Sequence, residues 1–136
     1  MASRLNPYIS FADNARQAMD FYKEVFGGTL TSNTFGEYGM EGPESDKLMH
    51  SELKTDAGLT LMGADTPSGM QRTEGNNITI SLSGDDSEEL HGYWDKLSEG
   101  GTISVPMEKQ MWGDEFGQCV DKFGVGWLVN IAQPQA

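Results

Sequence analysis

His50 and Glu52 are the pair whose types and spacing most directly invite chemistry. An imidazole and a carboxylate two residues apart on a strand project from one face, where they can act as an acid–base pair or as two ligands of a metal ion. Leu48 shares that face and no third ligand lies at an obvious spacing. A structural or solvent-exposed role therefore stands beside the pocket role, with metal ligation the least supported of the three. Cys119 falls in an alternating apolar run with no His or Lys adjacent in sequence, the setting of a buried inert thiol rather than a nucleophile. His91, next to Leu90 on an expected helix, reads as a surface histidine. Asn6 and Asn77 are expected at matching places in the two halves of the chain. Paired amides there can hydrogen-bond a small polar ligand, or simply lead the chain into a strand. Tyr8, Trp112 and Phe116 are candidate pocket walls, since ligand pockets are mostly apolar with a few polar anchors. Trp127 reads first as a core aromatic and second as a stacking surface. Met62 is one of eight methionines that can line an adaptable pocket or fill a core. The glycines of Gly36 to Gly42 make no phosphate loop, because no helix start follows them. No serine–histidine–carboxylate arrangement is present, and no catalytic residue is assigned.

The elements that must position these residues recur on an offset of 73: Asp13 with Asp86, Phe21 with Trp94, Gly27-Gly28 with Gly100-Gly101. Leu5 to Ala12 alternates and reads as a strand. Asp13 is expected to cap a helix whose stripe is Ala15, Ala18, Met19, Tyr22, Val25 and Phe26, closed by Gly27. Thr29 to Phe35, Leu48 to Lys54 and Leu59 to Ala64 follow as strands, the last two joined by a turn at Asp56-Ala57-Gly58. In the second half, a strand over Ile78 to Leu82 precedes a helix capped by Asp86, with Glu89 as its capping-box partner. Leu90, Tyr93, Trp94 and Leu97 form that helix's stripe. Strands over 102–105, 115–120 and 126–132 complete the pattern. The expectation is one α+β domain of two βαβββ modules, over 5–64 and 76–132, with 65–75 as linker. Two curved mixed sheets would then be paired around a cleft.

Composition narrows the partners. The 136 residues carry 9 basic and 21 acidic side chains, a net charge of −12 that repels phosphate backbones and anionic lipid. Nucleic acid and membrane are therefore not expected as partners. The bland meaning of the charge is a well-solvated surface; its sharper meaning is a modest preference for cationic ligands. No stretch approaches the roughly 18 apolar residues of a membrane helix. The first residues lack the apolar core of a secretory signal, and a single cysteine allows no internal disulfide, so the cytoplasm is the expected compartment.

The stretch Tyr8 to Gly28 (YISFADNARQAMDFYKEVFGG) resembles the opening module of the vicinal oxygen chelate superfamily. That superfamily includes glyoxalase I, extradiol dioxygenases, and fosfomycin and bleomycin resistance proteins. Trp112 to Gly117 (WGDEFG), Asp121 to Gly124 (DKFG) and Trp127 are similar to the PhnB-like branch, whose pattern is Trp-Gly-Asp…Phe-Gly…Asp-Pro-Phe-Gly-His-x-Trp. The resemblance spans 5–132 and implies paired βαβββ modules, often in homodimers. It also implies a divalent metal acting as a Lewis acid, held by the first and last strands of each module. Counted back from the helix caps, those positions fall on Asn6 and Asn77. The last-strand positions fall near Leu61 or Met62 and on Leu128. Two amides and two apolar side chains make a poor metal site. Lys122 and Val125 also replace the proline and histidine of the branch pattern.

These residues lead to a small-molecule-binding protein of the PhnB-like branch, without the superfamily's usual metal and with no predicted cofactor. Two other classes remain open: a metal-dependent lyase or dioxygenase with unconventional ligands such as His50 and Glu52, and a protein that sequesters a cationic drug. Relatives of this branch have been labelled demethylubiquinone methyltransferases, but no glycine-rich cofactor turn here supports that chemistry.

Overall fold

In the computed structural model, which describes residues 3–133, the first strand is shorter than its alternation promises. Strand β1 runs over Tyr8–Phe11. Leu5 is almost fully exposed, and Asn6 and Pro7 stand outside the strand, although the Pro7 carbonyl still accepts from the Met62 N–H at 3.0 Å. Helix α1 (Ala15–Phe26) follows, then β2 (Thr29–Thr34), β3 (Leu48–Lys54) and β4 (Thr60–Asp65). A 3-10 turn at Gly36–Tyr38 lies in the loop after β2. The chain divides into two compact units between Glu74 and Gly75. The second unit has β5 (Ile80–Gly84), α2 (Ser87–Ser98), β6 (Thr102–Lys109), β7 (Glu115–Val120) and β8 (Gly126–Ile131).

Each unit forms a four-stranded mixed sheet with one helix, in the orders β1-β4-β3-β2 and β5-β8-β7-β6. The outer strand β1 or β5 runs parallel to its neighbour, and the other pairs are antiparallel. The fold is α+β, with the βαβββ order repeated. Strand β5 begins two residues later than expected, leaving Ile78 largely exposed. Strand β6 runs four residues beyond its expected end and through Pro106. An edge position makes this possible, because the missing proline N–H has no partner to disappoint there.

The two helices start differently. Asp86 caps α2 as expected, accepting from the Glu89 N–H at 3.0 Å, while the Glu89 carboxylate accepts from Tyr93 Oη at 2.7 Å. Asp13 does not cap α1. Asn14 holds the N-cap position without a side-chain bond, and the first helical N–H, that of Ala15, donates to Asp65 at 2.8 Å. A carboxylate from the end of β4 thus does the work of a local cap and places its charge at the positive end of the helix dipole.

Packing explains the apolar pattern. Helix α1 buries Ala15, Ala18, Met19, Phe21, Tyr22 and Val25, so Phe21 joins the stripe and Phe26 is only half-buried. Helix α2 buries Leu90, Trp94 and Leu97. Small residues in the sheets make room: a Cβ at Gly63 would lie 3.0 Å from Met19 Sδ, and one at Gly117 would lie 2.8 Å from the Trp94 ring. A methyl group at either position would force those side chains to shift.

Candidate functional site

One face of each sheet receives the helix, and strand alternation decides which side chains stay off it. In the first unit the helix side takes Ser51, Leu53, Leu61 and Gly63, and a register shift between Asn33 and Thr34 turns Leu48 onto that side too, away from the face it was expected to share with His50 and Glu52. The helix-free face carries four of the sequence-predicted residues. Tyr8 pairs with Met62 across β1 and β4, Met62 pairs with Glu52 across β4 and β3, and His50 follows at the same parity. The Tyr8 and His50 rings are stacked, 6.1 Å between centroids and 23° between planes. Glu52 makes an ion pair with Lys54 at 3.4 Å. Tyr8, His50, Glu52 and Met62 therefore share a surface of mixed aromatic, polar and thioether character.

The amide pair is not equivalent. Tyr8 faces Met62, three residues before the end of β4, and Ser81 faces Leu128, three residues before the end of β8. The structural offset is thus 81 − 8 = 73, which makes Thr79, not Asn77, the counterpart of Asn6. Asn6 and Asn77 stand seven and nine residues before Asp13 and Asp86, so the amide pair never kept the 73-residue spacing of the rest of the repeat. Asn77 is exposed ahead of β5, and Asn6 is half-buried ahead of β1.

In the second unit Phe116 faces Asn130 on the helix-free side and meets Trp112 edge-on, with 5.8 Å between centroids. Trp112, in the β6–β7 turn, is 61% exposed. Trp127 lies on the opposite side and is buried, its indole N–H donating to Asp121 at 2.8 Å. The structure does not bring Trp127 to the face that holds Phe116. The other Asp121 oxygen accepts the backbone N–H groups of Phe123 (2.8 Å) and Val125 (3.1 Å). Lys122 and Val125, where the chain departs from the branch pattern, lie in the turn these bonds close, and Val125 takes part in it through its backbone N–H and carbonyl. Cys119 is buried, and burial first, with the Asp121 charge second, pushes its thiol up to about 11. A thiol so protonated is a poor nucleophile. His91 is not free on the surface; its Nε2 lies 3.3 Å from the Glu115 carboxylate.

The first unit also contains a pocket of about 430 Å³ beside Tyr8, lined among others by Ser10, Phe35, Met49, Met70 and Arg72. Sequence reasoning did not single out Phe35, the last residue of an expected strand that in fact ends at Thr34, or Arg72, in an aperiodic polar stretch. The chain after β4 forms one wall and is tied down at three points. The Thr66 N–H donates to the Phe11 carbonyl (2.8 Å), the Ser68 N–H to Glu44 (2.9 Å), and Arg72 Nε to the Ser10 carbonyl (3.0 Å). Glu44 is paired with Lys47 at 2.7 Å. The Lys47 bond first, then those from Ser68, hold its carboxyl down at about 2, from an ordinary 4.5. A carboxyl whose folded pKa is depressed supports the fold above its unfolded pKa, and that support is lost as pH falls through the folded value. The Glu44 side-chain carbon is therefore expected to titrate near 2 by NMR, with the Ser68 amide shift following it. Glu44→Gln should loosen the Ser68 tether at neutral pH; a midpoint near 4.5 in the native chain would refute the tether.

The donor set does not fit the superfamily's metal. Among the described residues no three His, Cys, Asp or Glu side chains gather as a metal site requires. Glu52 faces Met62 and Thr31 across the neighbouring strands, and His50 faces Asn33 with the Tyr8 ring stacked on it, so no further carboxylate, imidazole or thiol stands beside the pair.

A helix-backed βαβββ unit used twice, each with one sheet face carrying no helix, is the fold class of this chain. The chain matches the model of the Glyoxalase/Bleomycin resistance protein/Dioxygenase superfamily over residues 4–129, and it belongs to that family. It is 31% identical to Protein YjdN of Escherichia coli, over 96% of this chain and 97% of that one. The crystal structure of protein PA1353 from Pseudomonas aeruginosa superposes with a TM-score of 0.87 at 31% identity, covering 98% of this chain and all of that one. A Bacillus cereus protein described as a putative 3-demethylubiquinone-9 3-methyltransferase, PhnB protein, has a TM-score of 0.76 at 22% identity, covering 96% and 100%. That likeness makes the fold PhnB-like. No helix among the described residues is long and apolar enough to cross a membrane.

Proposed function

We propose that the chain is a PhnB-like small-molecule-binding protein that works without the superfamily's usual metal. The observation that carries this reading is the first unit's helix-free face, where Tyr8, His50, Glu52 and Met62 adjoin the pocket walled by Phe35, Met49 and Met70. Aromatic and thioether walls with a few polar groups are the composition of a ligand site. The donors on that face are too few and too mixed in type to fix a hard or borderline cation.

The test is elemental analysis of protein purified without chelators, in parallel with a His50→Ala, Glu52→Ala double variant. Metal content well below one ion per chain, unchanged in the variant, is the expected result. One tightly held divalent ion per chain, lost in the double variant, would instead establish a metal-dependent enzyme using those two side chains.

A further inference from the structure

Arg72 gives the pocket beside Tyr8 a charge opposite in sign to that of the whole protein. Two charged side chains line this pocket, Arg72 and Asp65. Asp65 is buried, and both its oxygens are engaged by backbone: Oδ1 by the Ala15 N–H at 2.8 Å and Oδ2 by the Leu48 N–H at 2.9 Å. Its negative charge is thus compensated by two amide dipoles and the start of α1. The Arg72 side chain is about three-quarters buried, with Nε fixed on the Ser10 carbonyl. One terminal nitrogen has only a distant counter-charge, Glu74 at 4.0 Å. Its remaining N–H groups form a planar fork, held in place before any ligand arrives.

We propose that this pocket binds a small organic carboxylate, its apolar body against Tyr8, Phe35, Met49 and Met70 and its carboxylate on Arg72. The inference rests on the reading of the first unit as a ligand-binding unit and adds the charge of the ligand to it. A guanidinium matches a carboxylate in two parallel bonds, and the low-polarity walls strengthen both. The net charge of −12 lowers the encounter rate of an anion without removing this local complementarity. The same arrangement disfavours a cationic ligand here, which would face the guanidinium.

Three probes of nearly equal shape test the assignment: naphthalene-2-carboxylate, naphthalene-2-carboxamide and 2-naphthylmethylammonium. Each is titrated into the full chain while the amide resonances of Ser10, Thr66 and Arg72 are followed by NMR. The carboxylate is expected to bind roughly tenfold more tightly than the carboxamide, with the ammonium weakest. Arg72→Gln should close the gap between the first two and leave the carboxamide unchanged. Glu74→Gln, which leaves the Ser10 bond intact, should favour the carboxylate further. Equal binding of carboxylate and carboxamide, a gap that survives Arg72→Gln, or tightest binding by the ammonium would each overturn the proposal while leaving a ligand-binding unit in place. If no probe moves these resonances, both the proposal and the ligand-binding reading of this unit fail.

Discussion

Replacing Asp121 by alanine is expected to lower stability by about 4 kcal/mol, roughly 12 °C in melting temperature for a chain of this size. Three N–H groups converge on this one carboxylate: the backbone amides of Phe123 and Val125 and the indole of Trp127. The carboxylate and the indole ring are both buried, so water cannot replace the lost acceptor at the Trp127 N–H without opening the core. Asp121→Asn keeps one carbonyl oxygen but turns an amide NH₂ toward donors, and should cost about half as much. Trp127→Phe removes one donor and leaves the two backbone bonds intact. Urea denaturation of the two single variants and the double variant closes a cycle. A coupling of about 1 kcal/mol or more between Asp121→Ala and Trp127→Phe is expected. Additive effects would show that the indole bond contributes nothing and that the loss lies in the turn alone. The aspartate and tryptophan of the branch pattern thus act together as a structural latch.

The first unit obtains a comparable result from a different place in the chain. Asp65 collects the Ala15 and Leu48 N–H groups, tying the start of α1 to the start of β3. The two buried aspartates are not repeat counterparts: Asp65 ends β4, where the second unit has Ile131 at the end of β8. In the second unit the helix start is capped locally instead, by Asp86.

This difference marks the limit of what the sequence could reveal. Both helices were legible because an apolar stripe at 3.6-residue spacing is a local signal, and β7 was placed to the residue by alternation between glycine-rich turns. The start of α1 was not, because its cap comes from 50 residues away in sequence. Tyr8, His50, Glu52 and Met62 could be named because each sits in an alternating run; that they share a face depends on strand register, which alternation alone leaves open. Arg72 could not be found at all. It lies in a polar, aperiodic stretch, and only the fold of the wall after β4 brings it to Ser10.

The second glycine of each pair is expected to matter more than the first, reversing the weight a helix-closing role gives them. Gly27 and Gly100 have positive φ, 72° and 76°, yet a Cβ on Gly27 would meet nothing and one on Gly100 would make only ordinary contact with Lys122. Gly100→Ala should therefore cost about 1 kcal/mol, and Gly27→Ala about 2 kcal/mol because its φ of 72° and ψ of −162° lie in a region nearly confined to glycine, the backbone penalty alone in each case. Gly28 and Gly101 are pressed against the far end of a neighbouring strand. A Cβ at Gly28 would overlap the Lys54 carbonyl oxygen, and one at Gly101 the Val120 carbonyl oxygen. Both obstacles are backbone, fixed by the β2–β3 and β6–β7 ladders, and cannot rotate aside. Gly28, with φ of 92°, carries the conformational penalty in addition. Gly28→Ala and Gly101→Ala should each cost about 3–4 kcal/mol. Denaturant midpoints of the four alanine variants give the ranking directly. If Gly27→Ala or Gly100→Ala proved as costly as its neighbour, the helix stop would be the reason for the pair. The expected order instead assigns the shared 73-residue spacing to one steric requirement met twice, the close approach of the chain leaving each helix to the strand beside it.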